Sequence, residues 1–487
     1  MAAQRKSSFV KYLFALFFCV VTSSFVMAHG SLRCRGKLPA VFTAHGDEVN
    51  GRGFLTPYSD NTRRGLVLLI SFSDVGFSID EPLAYYDCFF NEEGFSVGGA
   101  TGSVHDYYED QSQGRFNIMF DVLGPFALPK PAAYYGQNAG DGMDLHPAEM
   151  IQTALDTLAE RYPSHDFSRY DWDGDGEANM VFAVYAGRGE NYVTSQPSLM
   201  WPHMFTFTEQ LQLYGDGVGR KSVGGIVFDR YACSSELRGS SGTTPEGIGT
   251  ACHEFMHGLG IPDTYGSIPL DKEDMGYYDI MCRGNYLNDG RTPSSLAGFH
   301  KMMLGWSEAV EVSSSETVSM LAPVADGGEI YVMYNDDNRN ECFVIENRQK
   351  TSWDAYIPAG GLKVTHIDYD EQLWEALMVN VDYTHPRMFF ERESVWSSLP
   401  VYYGASGTFH LSIDDVSQSG SYMSFSIKDN PSDVRFPEMH DARTSGSAIM
   451  RYDLMGRKIP SNVVRPRGLY IEGGRLRLTR QTGGIRP

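Results

Sequence analysis

Residues 253–263 read His-Glu-Phe-Met-His-Gly-Leu-Gly-Ile-Pro-Asp, and no other stretch so narrows what the chain can fold into. On a helix, His253 and His257 fall four residues apart on one face, so both imidazoles can reach a single cation. Ile248, Ala251, Cys252, Phe255, Met256 and Leu259 supply the apolar surface that buries such a helix and carries the two imidazoles into a cleft. Glu254 lies beside the first imidazole, placed to take a proton from a water at the metal. Gly260 frees the backbone to turn sharply after the second. That turn can return Asp263 as a third ligand and leave a fourth position of a zinc ion open. A carboxylate from Glu273 or Asp274 is the alternative third ligand, with Asp263 then only closing the helix after Pro262. A bare His-Glu-x-x-His also arises by chance on surface helices. Here the spaced Gly and Asp, and Met281 in Tyr278-Asp-Ile-Met-Cys-Arg-Gly284, argue against chance.

These motifs resemble the immune inhibitor A family of secreted metallopeptidases, a metzincin-like group. The resemblance extends through Arg64–Asp74, Ser103–Gly114, Asp171–Gly176 leading into Met180–Gly187, Trp201-Pro-His203 and Asn288–Trp306, so it covers about residues 64–310. It implies zinc held by His253, His257 and Asp263, with Glu254 as general base and Met281 as an apolar floor. Met256 departs from the pattern, which has Gly there. His203 and Tyr286 are candidates for stabilising an oxyanion. The implied activity is hydrolysis of internal bonds in protein or peptide substrates. A surface adhesin or carbohydrate-binding protein on a decayed peptidase scaffold is the rival, although a binder has no need of Glu254.

A second constellation is Asp171-x-Asp173-x-Asp175-Gly176-Glu177-x-Asn179. Oxygen ligands at alternate positions with Gly at the sixth resemble the first half of a calcium loop. The twelfth position is Phe182 rather than a bidentate Glu, so a calcium ion here needs ligands from elsewhere. Calcium with a stabilising role is the favoured reading, and an acidic turn using Asp and Gly for its own backbone is the alternative.

Formal charge is −21 over 487 residues, which disfavours a nucleic-acid partner. The N-terminus has the order of a secretory signal peptide: Arg5, Lys6 and Lys11, then Tyr12–Val21, then small residues up to Ala28. Cleavage after Ala28 lowers the charge to −24. Six cysteines then remain, 34, 88, 233, 252, 282 and 342. An even number permits three disulfides; buried thiols are the alternative. Cys34 invites the idea of a thiolate that blocks the zinc position.

Strands interleaved with helices predict an α/β metzincin-like catalytic domain over 64–310, with an active-site helix and a Met-turn. Within it, strands are expected at Val67–Phe72 and Met180–Tyr185, and helices at 147–162, 246–259 and 293–304. Signal peptide 1–28 and an N-terminal segment or short propeptide 29–63 precede it, with the dibasic pair Arg63-Arg64 at the junction just before the first strand. Short β-branched and aromatic runs after Trp306 predict a mainly β accessory domain at 311–428. A linker at 429–446 leads to 447–487, a small β sorting-type tail. Residues 451–487 hold nine basic and two acidic residues. With Tyr452–Lys458 and Gly468–Ile471 this tail resembles C-terminal sorting domains of the bacterial type-nine pathway, which implies recognition by secretion machinery and a secreted or surface location.

Overall fold

The computed structural model describes residues 63–140, 142–265, 275–335, 338–369 and 411–429, with the backbone of short strands at 387–389, 451–453, 468–472 and 475–479. The signal-type segment, Cys34, Glu273, Asp274 and most of the linker lie outside the described residues.

The first half is a mixed α/β layer structure. Its sheet contains β1 (Arg63–Ser71), β2 (Ile118–Ala127), β3 (Val181–Arg188) and β4 (His203–Thr206); a hairpin of β5 (Lys221–Val223) and β6 (Ile226–Phe228) precedes its remaining strands, β7 (Arg230–Arg238) and β8 (Thr244–Pro245). The order is β2-β1-β3-β7-β4, with β8 on β7. The β2-β1-β3-β7 run is parallel, and β4 closes the edge antiparallel to β7. Parallel strands covered on both faces read as continuous apolar runs, which is why Leu66–Ile70 shows no alternation. The pleat still sorts it. Val67, Leu69, Phe182 and Val184 face one core, while Leu66, Leu68, Ile70, Val181 and Ala183 face the other. α1 (Pro82–Asn91), α2 (Val104–Ser112) and, later in the chain, the helix of His253 and His257 pack on the first face; between them in sequence, α3 (Ala132–Tyr135) and the amphipathic α4 (Pro147–Arg161) cover the second. α5 (Phe207–Tyr214) follows β4, and α6 (Ile248–Gly258) is the helix that carries His253 and His257.

Beyond α7 (Gly298–Met303) come β9 (Ala309–Glu311), β10 (Glu316–Leu321), β11 (Ile330–Tyr334), β12 (Glu341–Arg348), β13 (Gly361–Asp368) and β14 (Arg387–Phe389), then β15 (Leu411–Ser419) and β16 (Tyr422–Asp429). They form a five-stranded sheet, β14-β13-β12-β11-β9, and a three-stranded sheet, β10-β16-β15. Alternation divides the larger one. Tyr331, Met333, Phe343, Ile345 and Val364 meet the smaller sheet. Ile330, Val332, Cys342, Val344 and Ile367 join the same core as α6. The last three strands, 451–453, 468–472 and 475–479, pair antiparallel.

Two expectations change, and of the two readings of the cysteines the buried thiols are the ones seen. The helix predicted over 293–304 is only Gly298–Met303. Ahead of it Ala297 has ψ 144°, outside the helical range, and side chains from distant elements anchor the segment: Ser295 N–H donates to Asp354, Leu296 N–H to Gln111 and Ala297 N–H to Asp279. No disulfide joins the described cysteines, since 88, 233, 252, 282 and 342 are all free thiols and four of them are buried. Arg63 and Arg64 lie within β1, with the Arg63 guanidinium over the Phe116 ring. Among the described residues no helix is long and apolar enough to cross a membrane.

Candidate metal centre

α6 is placed by glycines at both ends. A Cβ on Gly247 would lie 2.2 Å from the Gly290 carbonyl carbon, and one on Gly249 2.0 Å from the Asn285 oxygen. The first turn of the helix therefore rests directly on the backbone of the 3-10 turn Gly284–Gly290. One face carries Ile248, Ala251, Cys252, Phe255 and Met256 into the core, and the Tyr108 hydroxyl donates to the Cys252 carbonyl. Met256, the departure from the family pattern, is a fully buried packing residue. Gly258 packs against Met180, where a Cβ would come within 2.7 Å of the sulfur. Gly260 takes φ +89°, a left-handed conformation that turns the chain back beneath the helix.

That turn brings Asp263 to the imidazoles. Its Oδ1 lies 3.1 Å from His253 Nε2 and 3.4 Å from His257 Nε2, with all three side chains buried. The other ring nitrogens are engaged by backbone carbonyls, His253 Nδ1 with Ile280 O at 2.7 Å and His257 Nδ1 with Ile261 O at 2.8 Å. With Nδ1 as the protonated position, each Nε2 presents a lone pair to the space shared with Asp263. Ligands on a tetrahedral zinc at about 2.0–2.1 Å stand about 3.3 Å apart. The donor set and its spacing fit a zinc ion. His253, Glu254 and His257 also present ligand-type atoms within 4.8 Å of one another, while Asp263 Oδ1 stands at 3.1 and 3.4 Å from the two Nε2 atoms.

The electrostatics follow from burial. Burial pulls the His253 imidazole down, but the Asp263 carboxylate 3.1 Å from its Nε2 and the adjacent Glu254 carboxylate favour the protonated ring and bring it up to about 9. Burial would raise the Asp263 carboxyl; the flanking imidazoles, His257 foremost, hold it far below the usual carboxylate range. A cation taking this place displaces a proton from the His253 imidazole, so its binding is proton-linked. Burial raises the Glu254 carboxyl, partly offset by His253 and His257.

Of the remaining candidates, His203 is buried in β4, with Nδ1 at the Trp201 carbonyl and Nε2 at the Tyr231 hydroxyl. Burial pushes it down to about 4, only partly opposed by that carbonyl. Both nitrogens are committed to packing. Tyr286 is 41% exposed and lies in the field of Glu254 and Glu246. Two side chains escaped the sequence reading. Tyr265 donates its hydroxyl to Asp263 Oδ2 at 2.8 Å, and Asp279 accepts from the Thr264 hydroxyl at 2.9 Å. Nothing in the sequence marks Tyr265; Asp279 sits inside the Met281 motif.

The acidic loop gathers only part of its expected set. Asp171, Asp173 and Asp175 cluster. Glu177 instead pairs with Arg220, and Asn179 Oδ1 accepts from Trp172 N–H at 2.8 Å. The Asp171 carboxylate accepts backbone N–H groups from Gly174, Asp175 and Gly176. Burial and the charges of Asp175 and Asp171 raise Asp173.

The family profile for the immune inhibitor A peptidase M6 catalytic domain matches residues 61–307. The chain belongs to this family. The pre-pro-metalloprotease PrtV of Vibrio cholerae is 26% identical over 280 residues, 50% of this chain and 30% of PrtV. Immune inhibitor A of Bacillus thuringiensis subsp. alesti is 26% identical over 300 residues, 52% of this chain and 42% of its own. A putative secreted metallopeptidase of Arthroderma benhamiae is 24% identical over 230 residues, 42% and 32% of the two chains. The matched region thus spans less than half the length of these relatives.

Proposed function

We propose that the chain is an exported zinc endopeptidase. The observation that carries this reading is the convergence of Asp263 Oδ1 on both Nε2 atoms at tetrahedral ligand spacing. Zinc, when bound, supplies a Lewis acid that polarises the scissile carbonyl and acidifies water. His253, His257 and Asp263 hold it, and the Tyr265 hydroxyl fixes the carboxylate that faces it. Glu254 takes the proton of the attacking water and passes it to the departing amine. The segment around Met281, whose side chain is fully buried, acts as the Met-turn.

Export is supported by the charged and apolar N-terminal order and by relatives named as a pre-pro-metalloprotease and a secreted metallopeptidase. In this reading 311–428 is a β-rich domain and the basic tail 447–487 addresses secretion machinery. Asp171, Asp173 and Asp175 form a stabilising calcium site completed by water, without Glu177 and Asn179.

The test is cleavage of a diverse peptide mixture by the purified protein and by Glu254→Ala, with bound zinc quantified in both. Cleavage by the wild type alone, with zinc in both, is the expected result. Wild-type turnover in the variant refutes the assigned base, and absence of zinc from the wild type refutes the metal site.

A further inference from the structure

Two of the three metal-facing residues are held by one short segment, Tyr278–Met281. The Ile280 carbonyl receives His253 Nδ1 at 2.7 Å. Thr264, next to Asp263, donates its backbone N–H to the Met281 carbonyl at 2.8 Å and its hydroxyl to Asp279 Oδ2 at 2.9 Å. Asp279 is itself fully buried; its Oδ1 accepts from Ala297 N–H, and its Oδ2 lies 3.3 Å from His300 Nδ1. The position of this segment therefore sets where two ligands stand.

The segment is gripped from behind by a residue outside the family-matched region. Arg348, on β12, has no solvent exposure. Its guanidinium donates to the Tyr278 carbonyl at 2.6 Å, to both oxygens of Asp354 at 2.6 Å and to the Ser295 carbonyl at 3.3 Å. Asp354 also accepts from Ser295 N–H. Glu346, beside Arg348, accepts from Gly298 N–H at 2.9 Å and from Lys363 at 2.7 Å. The Tyr278 hydroxyl in turn receives the Ala359 N–H. Arg348, Glu346, Asp354, Ala359 and Lys363 all follow residue 307, where the family match ends. A planar fork that holds a carboxylate and two backbone carbonyls at once fixes both position and orientation, which an ammonium at the same place does not.

We propose that Arg348 is a positioning residue for the metal centre, holding the Tyr278–Met281 segment so that it presents His253 and Asp263 to one cation. The larger β sheet is then part of the catalytic unit rather than an appendage to it. This rests on the reading of His253, His257 and Asp263 as the ligands.

The test uses the full chain and zinc alone as probe, with affinity measured by competition against a chromophoric chelator and folding by circular dichroism. Variants are Arg348→Lys, Asp354→Asn, Thr264→Val and Asp263→Ala. The control is Leu155→Ala, a cavity on the opposite face of the first sheet, whose melting temperature is matched to that of Arg348→Lys by choice of urea concentration. Expected is a loss of zinc affinity of about 10- to 100-fold in Arg348→Lys and Thr264→Val, the range for groups that orient metal ligands, with Leu155→Ala unchanged. Equal loss in the cavity variant reduces Arg348 to a stability role and overturns the proposal. Wild-type affinity in Arg348→Lys, while Asp263→Ala loses zinc, overturns it alone, whatever Thr264→Val does. Wild-type affinity in Asp263→Ala overturns the ligand reading and the proposal with it. Where Arg348→Lys does not fold, Asp354→Asn, which keeps the side-chain shape, decides in its place by the same two results.

Discussion

Replacing Arg348 with Met removes a buried cation and leaves its partners in place. Asp354 has no solvent exposure, and without the guanidinium its carboxylate retains only the Ser295 N–H among the bonds described. The Tyr278 carbonyl loses its donor as well. Breaking a buried ion pair from one side costs about 3–5 kcal/mol, because a charge is left uncompensated. That is a large share of the roughly 5–15 kcal/mol by which a folded domain exceeds its unfolded chain. The double variant Arg348→Met/Asp354→Leu removes both charges, and apolar replacement of a whole pair is often neutral. It is therefore expected to be more stable than the single variant by about 2 kcal/mol or more. Urea unfolding followed by the fluorescence of Trp306 and Trp353, both buried, reads the difference as a shift in midpoint at unchanged slope. A single variant that loses less than about 1 kcal/mol, or a double variant whose losses simply add, would show that this network is not what holds the segment.

Tyr265→Phe removes the hydroxyl from Asp263 Oδ2 and is expected to weaken zinc binding about 10-fold, the lower end for such partners; unchanged competition against a chelator removes Tyr265 from the site. Glu190 and Glu246 are each pushed up to about 7, by burial foremost. Their unfolded carboxyls ionise near 4.5 while the folded ones stay protonated, so these two groups lower stability as pH rises from about 4.5 to 7. Glu246→Gln should flatten that part of a melting-temperature profile, and an unaltered slope counts against the assignment. Removing calcium with a selective chelator is expected to lower the melting temperature of the wild type and to leave Asp171→Asn/Asp173→Asn unaffected; equal response in both excludes the acidic loop as the site.

Much of the catalytic half was legible in residue order because its determinants are local. The i, i+4 spacing of His253 and His257, the apolar face beneath them, and a glycine where φ must be positive are all properties of a few consecutive residues. The continuous run Leu66–Ile70 and the alternating runs after Trp306 likewise report their own strands. The expected helix at 293–304 begins only at Gly298, after a segment tied to Gln111, Asp279 and Asp354, distant contacts that no propensity scale sees. Glu177 and Asn179 kept the spacing of a calcium loop, yet Arg220 and the Trp172 amide hold them elsewhere.

Composition and motif spacing alone thus determined that a helix carries two imidazoles and a carboxylate, with an aspartate able to return after a glycine turn. Only the tertiary structure decided that Asp263 does return, that Tyr265 and the Thr264–Asp279 pair hold it, and that Arg348, 70 residues from Tyr278, braces the whole. A ligand's identity is written in its own side chain, whereas its orientation is set by partners that meet it only when distant strands pack against one core.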